Sequence, residues 1–427
     1  MSHRISALAS QLAAPPAASV GVKTSLTSGK TGTKDPNDVV IVSALRTAIG
    51  KARKGSFKDT TPDTLLRGVL KATVDRTSVK YDDIGDVCVG NVQMAGSYAG
   101  PGRMAMFEAG FPYKIPMYAV NRQCSSGLQA CANIAASIKM GIIDAGIGAG
   151  VESMSFGGGV ADMDEPPPLD YEALSESKLA KECLTPMGVT SEIVAERYGI
   201  TRTEQDALAE ASHKKSLAAQ ASGKFRDEIV PLTVTWTDKD DEDQEITVDK
   251  DDGPRPGSTV EKLAKLRAVF KKGGSTTAGN SSQVSDGAAA VLLMRRSFAE
   301  QKGYPIIGTF RSFKCVGVKP DEMGVGPAVA IPAVLDECGL SVSDIDVYEI
   351  NEAFASQAAY CVKKLGIPAS KLNPNGGAIS LGHPLGMTGA RMVATCLHEL
   401  RRTNKKYGIV SMCIGTGMGA AAVIEAE

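Results

Sequence analysis

The sequence of 427 residues predicts an α/β protein, and three features support this fold class. Short runs rich in β-branched residues alternate with longer runs whose apolar residues recur at helical spacing. Aromatic residues make up only 5% of the chain, and its 45 glycines suit closely packed layers. A chain of this length is also long enough for two or three domains.

The first strand is predicted at residues 39–44, which have the β-branched density of a strand buried on both faces. Similar short runs recur later, and amphipathic helical runs lie between them. We therefore predict further strands at residues 86–92, 288–294, 347–350, 407–412 and 420–426, and helices at residues 126–140 and 389–400. This alternation is typical of the α/β class.

The middle of the chain, residues 155–274, has a different character and predicts an inserted, more exposed subdomain. It contains a polar stretch of helical pattern at residues 191–222 and an acidic run at residues 238–245. We expect the acidic run to be a solvated loop, because carboxylates at this density repel one another and any anionic ligand. Basic and apolar residues return at 255–259 and 262–270, which are better candidates to hold a substrate that carries phosphate.

A weak internal repeat suggests two similar halves. Residues 124–150 and residues 383–417 both run from a loop through a helix to a glycine-rich strand. The repeat places Cys124 and His383 at equivalent junctions of loop and helix, where they would meet across a pseudo-twofold axis. Helix N-termini at these junctions would favour a thiolate and an anionic intermediate.

The leading segment, residues 1–34, contains no Asp or Glu and predicts a flexible extension. Near its start, Arg4 and Gln11 accompany a helical stripe of three apolar residues, Ile5, Leu8 and Leu12. This pattern resembles the N-terminal, type-2 peroxisomal targeting signal, which implies an import receptor that reads one helix face. A mitochondrial presequence is the alternative, although the segment has a single Arg. A tail with no targeting role is the third reading.

Charge and cysteine content exclude several classes of partner. The formal net charge of -1 gives no long-range attraction to nucleic acid or to a membrane surface. Apolar stretches such as residues 287–294 are shorter than the roughly 20 residues of a membrane span. Nine cysteines without metal-ligand spacing predict neither a disulfide framework nor a metal site, and indicate a reducing intracellular compartment. Most are expected to be inert core residues, for example Cys131, Cys361 and Cys396.

Four separated motifs together describe an active site. They are Asn-Arg-Gln-Cys-Ser-Ser-Gly at 121–127, Asn-Glu-Ala-Phe at 351–354, Gly-His-Pro at 382–384 and Cys-Ile-Gly-Thr-Gly at 413–417. Two cysteines and a histidine supply a nucleophile and proton carriers, and the glycines supply N–H groups that can approach a carbonyl closely.

A free cysteine is only a few per cent thiolate at neutral pH, so Cys124 needs an activating base. His383 is the only histidine in a glycine-framed loop. His3 lies in the leading segment, while His213 and His398 lie in polar helical stretches and are expected to be ordinary surface or core residues. The simpler reading of Cys413 is an incidental cysteine at the end of a glycine-rich strand.

With these motifs the sequence resembles the thiolase family from residue 39 to the C-terminus, and within it the peroxisomal 3-ketoacyl-CoA type. Further matching motifs lie at residues 150–155, 186–192, 276–282 and 323–328. The resemblance implies a five-layered α/β/α/β/α fold of two similar halves, with an inserted loop domain that binds coenzyme A (CoA), and a homodimer. We assign residues 1–34 to the leading segment, 35–154 with 275–303 to the N-terminal half, 155–274 to the insertion and 304–427 to the C-terminal half.

The resemblance also implies roles for the catalytic residues. Cys124 would be the acylated nucleophile and His383 its base. Cys413 would protonate the departing acetyl-CoA enolate and then deprotonate the incoming thiol of CoA. The N–H groups of Cys124 and Gly415 would form one oxyanion hole, and His383 with a water held by Asn351 would form the other.

The CoA site that the resemblance implies involves five residues. Arg255 would lie near the adenine nucleotide, Phe270 and Ala278 along the pantetheine, Ser282 would hydrogen-bond to the pantetheine, and Phe354 would contact the substrate. For Phe270, simple core packing is an equal alternative. CoA is then a co-substrate, and we expect no permanently bound cofactor and no metal.

The function implied is thiolytic cleavage of 3-ketoacyl-CoA in peroxisomal β-oxidation. After Met154 and Ser155 the chain has Phe156 and three glycines, where the acetoacetyl-CoA type has a Pro-His pair. An acetoacetyl-CoA thiolase remains the alternative, as does a related condensing enzyme, although those usually lack the second cysteine. A non-catalytic carrier has no need of this set of residues. Cys124 and Cys413 are further hypothesised to form a reversible disulfide on oxidation.

Overall fold

The computed structural model describes residues 31–157 and 169–427. The strands are β1 (Val39–Thr47), β2 (Gly50–Lys51), β3 (Asp86–Gly90), β4 (Met117–Val120), β5 (Ala145–Ser153), β6 (Ile229–Val230), β7 (Leu232–Thr237), β8 (Asp243–Val248), β9 (Ser285–Arg295), β10 (Gly308–Gly317), β11 (Val347–Ile350), β12 (Tyr407–Ile414) and β13 (Met418–Ala426). The helices are α1 (Pro62–Thr77), α2 (Ala99–Glu108), α3 (Ser126–Lys139), α4 (Tyr171–Glu176), α5 (Lys178–Glu182), α6 (Met187–Tyr198), α7 (Arg202–Ala221), α8 (Val260–Leu263), α9 (Arg296–Lys302), α10 (Gly326–Cys338), α11 (Ala355–Leu365), α12 (Ala378–Leu381) and α13 (Leu385–Arg402). Each strand and helix predicted within the described residues is confirmed in type.

The two halves have the same strand order. The N-terminal half runs β4-β3-β5-β9-β1 and the C-terminal half runs β11-β12-β13-β10. Leu372 forms a parallel β-bridge with Tyr348 on the outer side of β11. In the N-terminal half, β4 occupies the corresponding position and pairs in parallel with β3. The halves join where β1 pairs with β10 in antiparallel orientation, Val40 opposite Thr309. The chain therefore repeats one topology, as its internal repeat predicts.

Helices α3 and α13 lie between the two sheets and create the central layer. On β9, Ala289, Val291 and Leu293 face these helices, whereas the alternate residues face α1 and α2 on the outer side. Helix α10 covers the outer face of the second sheet. Because both faces of each sheet are buried, the strands read as continuous apolar runs in the sequence. The result is five layers, helix, sheet, helix, sheet and helix.

The two central helices approach each other closely at their first turns. A Cβ atom at Gly127 would lie 2.5 Å from the carbonyl oxygen of Gly386, and one at Gly389 would collide with the backbone of Leu128. Only glycine permits this approach, because any side chain would force the helices apart. The N-termini of α3 and α13, which follow Cys124 and His383, therefore lie side by side.

The described part of the insertion, residues 169–274, corrects two predictions. The polar stretch at 191–222 is two helices rather than one, because the chain breaks at Gly199, where φ is +63°, and restarts at Thr201. The acidic run at 238–245 is not wholly a loop, since its last residues belong to β8, which pairs with β7. This hairpin forms because it buries Val234 and Val248 against the N-terminal half.

The chain is anchored from residue 31 onward, earlier than the predicted boundary of the leading segment. The hydroxyl of Thr31 donates to the carbonyl of Cys338 over 2.7 Å, and Lys34 pairs with Glu427 over 2.9 Å. The predicted targeting helix at residues 4–12 lies outside the described residues. Among residues 31–157 and 169–427, no helix has the length and apolar character needed to cross a membrane.

Candidate active site

Cys124 lies in a tight turn immediately before α3. The side chain of Asn121 accepts from the N–H of Gln123, and the hydroxyl of Ser126 donates to the Gln123 carbonyl over 2.6 Å. These bonds hold Gln123 at a φ of +47°, which is unusual for a residue other than glycine. The turn places the Cys124 thiol at the N-terminus of α3, where the helix dipole favours a thiolate.

His383 lies in the equivalent turn before α13, and its partners define its tautomer. Nε2 is 3.2 Å from the amide nitrogen of Asn351, and Nδ1 is 2.7 Å from the hydroxyl of Thr388. An amide nitrogen can only donate, so Nε2 is unprotonated and Nδ1 carries the proton. The Thr388 hydroxyl in turn donates to the Pro384 carbonyl over 2.8 Å. The neutral imidazole therefore presents a lone pair at Nε2, as a general base requires.

Asn351 and Cys413 are brought together because they lie at the carboxyl ends of neighbouring parallel strands, β11 and β12. The N–H of Asn351 donates to the carbonyl of Ser411, which continues the pairing of the two strands. Asn351 is 1% exposed, and its Oδ1 has no hydrogen-bond partner among the described residues. A buried amide oxygen of this kind is suited to hold a water.

The turn between β12 and β13 brings a backbone donor to Cys124. Ile414 pairs with Met418, so three residues form the turn, and Thr416 and Gly417 have positive φ angles. The N–H of Gly415 hydrogen-bonds to the sulfur of Cys124. An oxyanion formed at a carbon attached to this sulfur would therefore develop within reach of the Gly415 N–H.

Cys413 lies in an apolar environment. It is fully buried in a small cluster with Met323 and Ala353, against which Met187 and Phe354 pack. Its one hydrogen-bonding side-chain neighbour among the described residues is Gln357, 3.1 Å from the sulfur. The thiol is thus shielded from water.

Burial sets the resting charge of the three titrating groups. It raises the pKa of Cys124 to about 11, although the hydrogen bond from Gly415 acts in the opposite direction. It also raises the pKa of Cys413 well above its ordinary value. Burial, with the positive charge of Arg391, lowers the pKa of His383 to about 3. At neutral pH both thiols are therefore protonated and the imidazole is neutral, so Cys124 would have to lose its proton in order to act as a nucleophile.

Two of the predicted CoA contacts, Arg255 and Ala278, line a cavity of about 170 Å³ beside the site. His213 and Gln283 line it as well. A guanidinium at such an opening suits the phosphates of a nucleotide. The structure therefore brings together two residues that lie 23 positions apart in the sequence and were predicted to hold the same ligand.

The other three predicted contacts lie nearer the catalytic cysteines. The rings of Phe270 and Phe354 meet edge to face with centroids 6.2 Å apart. The side chain of Phe270 is 42% exposed, so core packing does not account for it. The N–H of Ser282 donates to the carbonyl of Ala353, which places Ser282 next to Phe354. Phe354 in turn packs against the cluster that contains Cys413.

His213 was predicted to be an ordinary surface or core histidine, and the structure places it in the core at 5% exposure. Its Nδ1 accepts the N–H of Arg255 over 3.2 Å, so it positions the loop that carries the candidate phosphate ligand. Burial and the charge of Arg255 lower its pKa to about 4, so it stays neutral as an acceptor. No motif in the sequence indicates this contact. His398 instead bonds to the carbonyl of Ala44 in the core.

No group of His, Cys, Asp or Glu in the described parts of the chain is arranged to hold a metal ion. The nine cysteines are all free thiols. The described site therefore offers nucleophilic and acid–base groups, together with backbone donors.

The class of protein follows from comparison with known families. The N-terminal thiolase domain model matches residues 39–297, and the C-terminal thiolase domain model matches residues 304–426. The chain therefore belongs to the thiolase family, which confirms the resemblance, and its five-layered α/β fold class is confirmed as well.

Individual relatives are similar over almost the whole chain. "3-Ketoacyl-CoA thiolase A, peroxisomal" of Mus musculus is 55% identical, with 99% of each chain covered. The dimeric peroxisomal thiolase of Saccharomyces cerevisiae matches with a TM-score of 0.85 and 49% identity, over 92% of this chain and 99% of that chain. A second structure of the yeast enzyme, at 45% identity with a TM-score of 0.75 and the same coverage, is described as five-layered with two core domains of identical topology.

Proposed function

We propose that this protein cleaves 3-ketoacyl-CoA with CoA, giving acetyl-CoA and an acyl-CoA shortened by one acetyl unit, as the last step of fatty-acid β-oxidation. The observation that carries the proposal is the meeting of Cys124, His383, Asn351 and Cys413 at the N-termini of two helices and the ends of two strands. The names of the similar enzymes in mouse and yeast support the same reaction.

In the first half of the reaction, Cys124 attacks the C3 carbonyl while its proton passes to Nε2 of His383. The N–H groups of Cys124 and Gly415 stabilise the oxyanion that forms. The bond between C2 and C3 then breaks, its electron pair goes to the acetyl-CoA enolate, and the acyl group stays on Cys124. The protonated His383 and a water on Asn351 stabilise the enolate oxygen. Cys413 gives its proton to the enolate carbon and becomes a thiolate.

In the second half, the Cys413 thiolate removes the thiol proton of CoA. The CoA sulfur attacks the acyl thioester of Cys124, again with the oxyanion at the N–H groups of Cys124 and Gly415. The Cys124 sulfur leaves and recovers its proton from His383, which returns every group to its starting state. CoA is thus a co-substrate, with Arg255, Phe270, Ala278, Ser282 and Phe354 as its binding residues and no permanently bound cofactor or metal.

The test is an assay of the purified protein with CoA and 3-ketoacyl-CoA substrates of short, medium and long chain, followed by loss of the enolate absorbance. We expect cleavage of medium and long chains, abolished in Cys124→Ala. Cys131→Ala is the matched control, because it removes a buried thiol from α3, the helix that follows Cys124, away from the site. Activity confined to acetoacetyl-CoA would instead support the biosynthetic alternative, and no activity on any chain would contradict both.

We also propose a homodimer. The yeast relative is described as dimeric. In the described chain, β4 ends the sheet with one side unpaired, and large apolar side chains are exposed nearby on and after α2, namely Met104, Phe107 and Tyr113. An unpaired edge strand flanked by exposed apolar residues is a surface that a second copy of the chain would cover.

The remaining part of the proposal concerns location. The similar mammalian and yeast enzymes are peroxisomal, and residues 4–12 match the pattern of a type-2 targeting signal. We infer import into peroxisomes through a receptor that binds this segment. A variant with Arg4→Ala and Leu12→Ala should stay in the cytosol while its enzymatic activity is unchanged. Peroxisomal accumulation of the variant equal to that of the parent would contradict the inference.

A further inference from the structure

Gln357 is a buried residue of the site to which no role has yet been given. It lies in the first turn of α11, which follows the Asn-Glu-Ala-Phe motif, and it is 1% exposed. One atom of its side-chain amide is 3.1 Å from the sulfur of Cys413. The same atom is 3.1 Å from the backbone carbonyl oxygen of Asn351.

The neighbours of the amide decide which of its two atoms faces the sulfur. The other amide atom is 2.6 Å from the N–H of Ala358. An oxygen there accepts this N–H, whereas a nitrogen would face another donor. A nitrogen on the opposite side donates to the Asn351 carbonyl, whereas an oxygen would face another acceptor. The orientation that satisfies both neighbours places Nε2, with its two N–H groups, at Cys413 and Asn351.

The apolar cluster around Cys413 makes such a donor important. A thiolate in contact with Met323 and Ala353 has lost its water, and an uncompensated buried charge is costly. Hydrogen bonds to the charged form are what offset this cost. Cys413 passes through the thiolate form in each turnover under the proposed function, between giving a proton to the enolate and taking one from CoA.

We propose that Gln357 is a positioning residue for this step, on which the proposed function rests: one Nε2–H stabilises the Cys413 thiolate while the other fixes the Asn351 carbonyl. Gln357 transfers no proton itself. Asn351 also contacts His383. The Gln357 amide therefore holds Cys413 at a fixed distance from Asn351, the residue proposed to help stabilise the enolate. Gln357 thereby connects the two strand ends that carry the chemistry.

The experiment isolates the proton transfer of Cys413 from acyl transfer. In a Cys124→Ala background, the exchange of the methyl protons of acetyl-CoA with D2O needs Cys413 as a base and no nucleophile. Gln357→Met should slow this exchange about 10- to 150-fold, the factor for losing one hydrogen bond to a charged group. The dissociation constant of acetyl-CoA should change less than about twofold, because Gln357 is assigned no contact with CoA.

The matched control is Cys131→Ala, which removes a buried group whose sulfur contacts the Gly148 carbonyl and not Cys413. It should exchange at the rate of the Cys124→Ala parent. Equal exchange rates in Gln357→Met and its parent would overturn the inference about Gln357 but leave the proposed function standing. If the protein with Cys124 and Gln357 intact fails to cleave 3-ketoacyl-CoA, the proposed function fails and the inference with it.

A second measurement needs no change at Gln357 and so does not depend on how that variant folds. The Raman difference between Cys124→Ala and Cys124→Ala, Cys413→Ala isolates the S–H stretching band of Cys413. If the Cys413 sulfur accepts a hydrogen bond from Nε2, its own S–H donates to no group, and the stretching band keeps the frequency of a free S–H. A thiol that donates to a carbonyl oxygen of the amide has its band at lower frequency, and this result would overturn the inference.

Discussion

The side chain of Asn351 has two separate tasks in the site. Its nitrogen faces Nε2 of His383, which keeps that atom unprotonated, while its oxygen has no partner among the described residues. A nitrogen donor at Nε2 selects the neutral tautomer that can accept the proton of Cys124. The oxygen is the atom suited to hold the water of the second oxyanion hole. In the proposed mechanism, one residue therefore supports both the base and the enolate.

Asn351→Ala should lower kcat about 100- to 1000-fold, the usual cost of removing one oxyanion-hole donor. The protein should stay folded, because the backbone N–H of Asn351, which continues the pairing of β11 with β12, is retained. Steady-state kinetics of thiolysis measure the effect, and circular dichroism with thermal unfolding checks the fold. A variant with kcat near that of the parent would show that Asn351 has no part in the transition state.

Three of the four candidate catalytic residues, Cys124, His383 and Cys413, could be predicted from the sequence because each lies in a motif that contains glycine. The fourth, Asn351, lies in a motif without glycine or proline and was predicted from the resemblance to the thiolase family. The residues that support these four could not be predicted. His213 meets Arg255 across 42 positions, and Gln357 meets Cys413 across 56 positions. Their roles depend on which side chains the fold brings within 3.2 Å, and no local pattern in the sequence expresses that distance.

At the scale of elements, the periodicity of apolar residues predicted whether a segment is a helix or a strand better than it predicted where the segment begins and ends. Helix α13 begins at Leu385, four residues before the predicted start, and the next three residues, 386–388, are all buried between the two sheets. A helix buried all round has no polar face, so its first turn shows no amphipathic pattern. The break between α6 and α7 did have a signal, since Thr201 and Glu204 have the spacing of a capping box.

The positions of close packing at glycines are a second feature, at the same scale, that the sequence does not predict. The number of glycines predicted close packing, but not where it occurs. Gly127 and Gly389 let two helices touch at their first turns, whereas Gly100 lies on α2 with open space around it. The three residues look alike in sequence. Their difference lies in the neighbouring helix, which is more than 200 residues away in the chain for Gly127 and Gly389.

At the scale of the whole molecule, a buried ion cluster joins the insertion to the layered core. Arg46 on β1 is fully buried and bonds to Glu228 over 2.6 Å and to Asp251 over 2.7 Å, both in the insertion. Glu228 also accepts from Thr395 on the central helix α13. Burial opposes the charge of Arg46, but the two carboxylates raise its pKa above the ordinary value, so it stays protonated. No motif in the sequence marks Arg46 or its two carboxylate partners, which lie about 200 positions away from it.

Arg46→Met should reduce the free energy of unfolding by about 3–5 kcal/mol, because it leaves Glu228 and Asp251 buried without their counter-charge. Urea unfolding, followed by tryptophan fluorescence and circular dichroism, measures the loss. Lys71→Ala is the control, since its ion pair with Asp75 is mostly exposed and its removal should cost no more than about 0.5 kcal/mol. A loss for Arg46→Met as small as that of the control would mean that the two carboxylates regain water or take up protons without disturbing the core. The insertion would then be held to the layers by its apolar contacts alone, and the cluster would contribute little to the position of the cavity that Arg255 and Ala278 line.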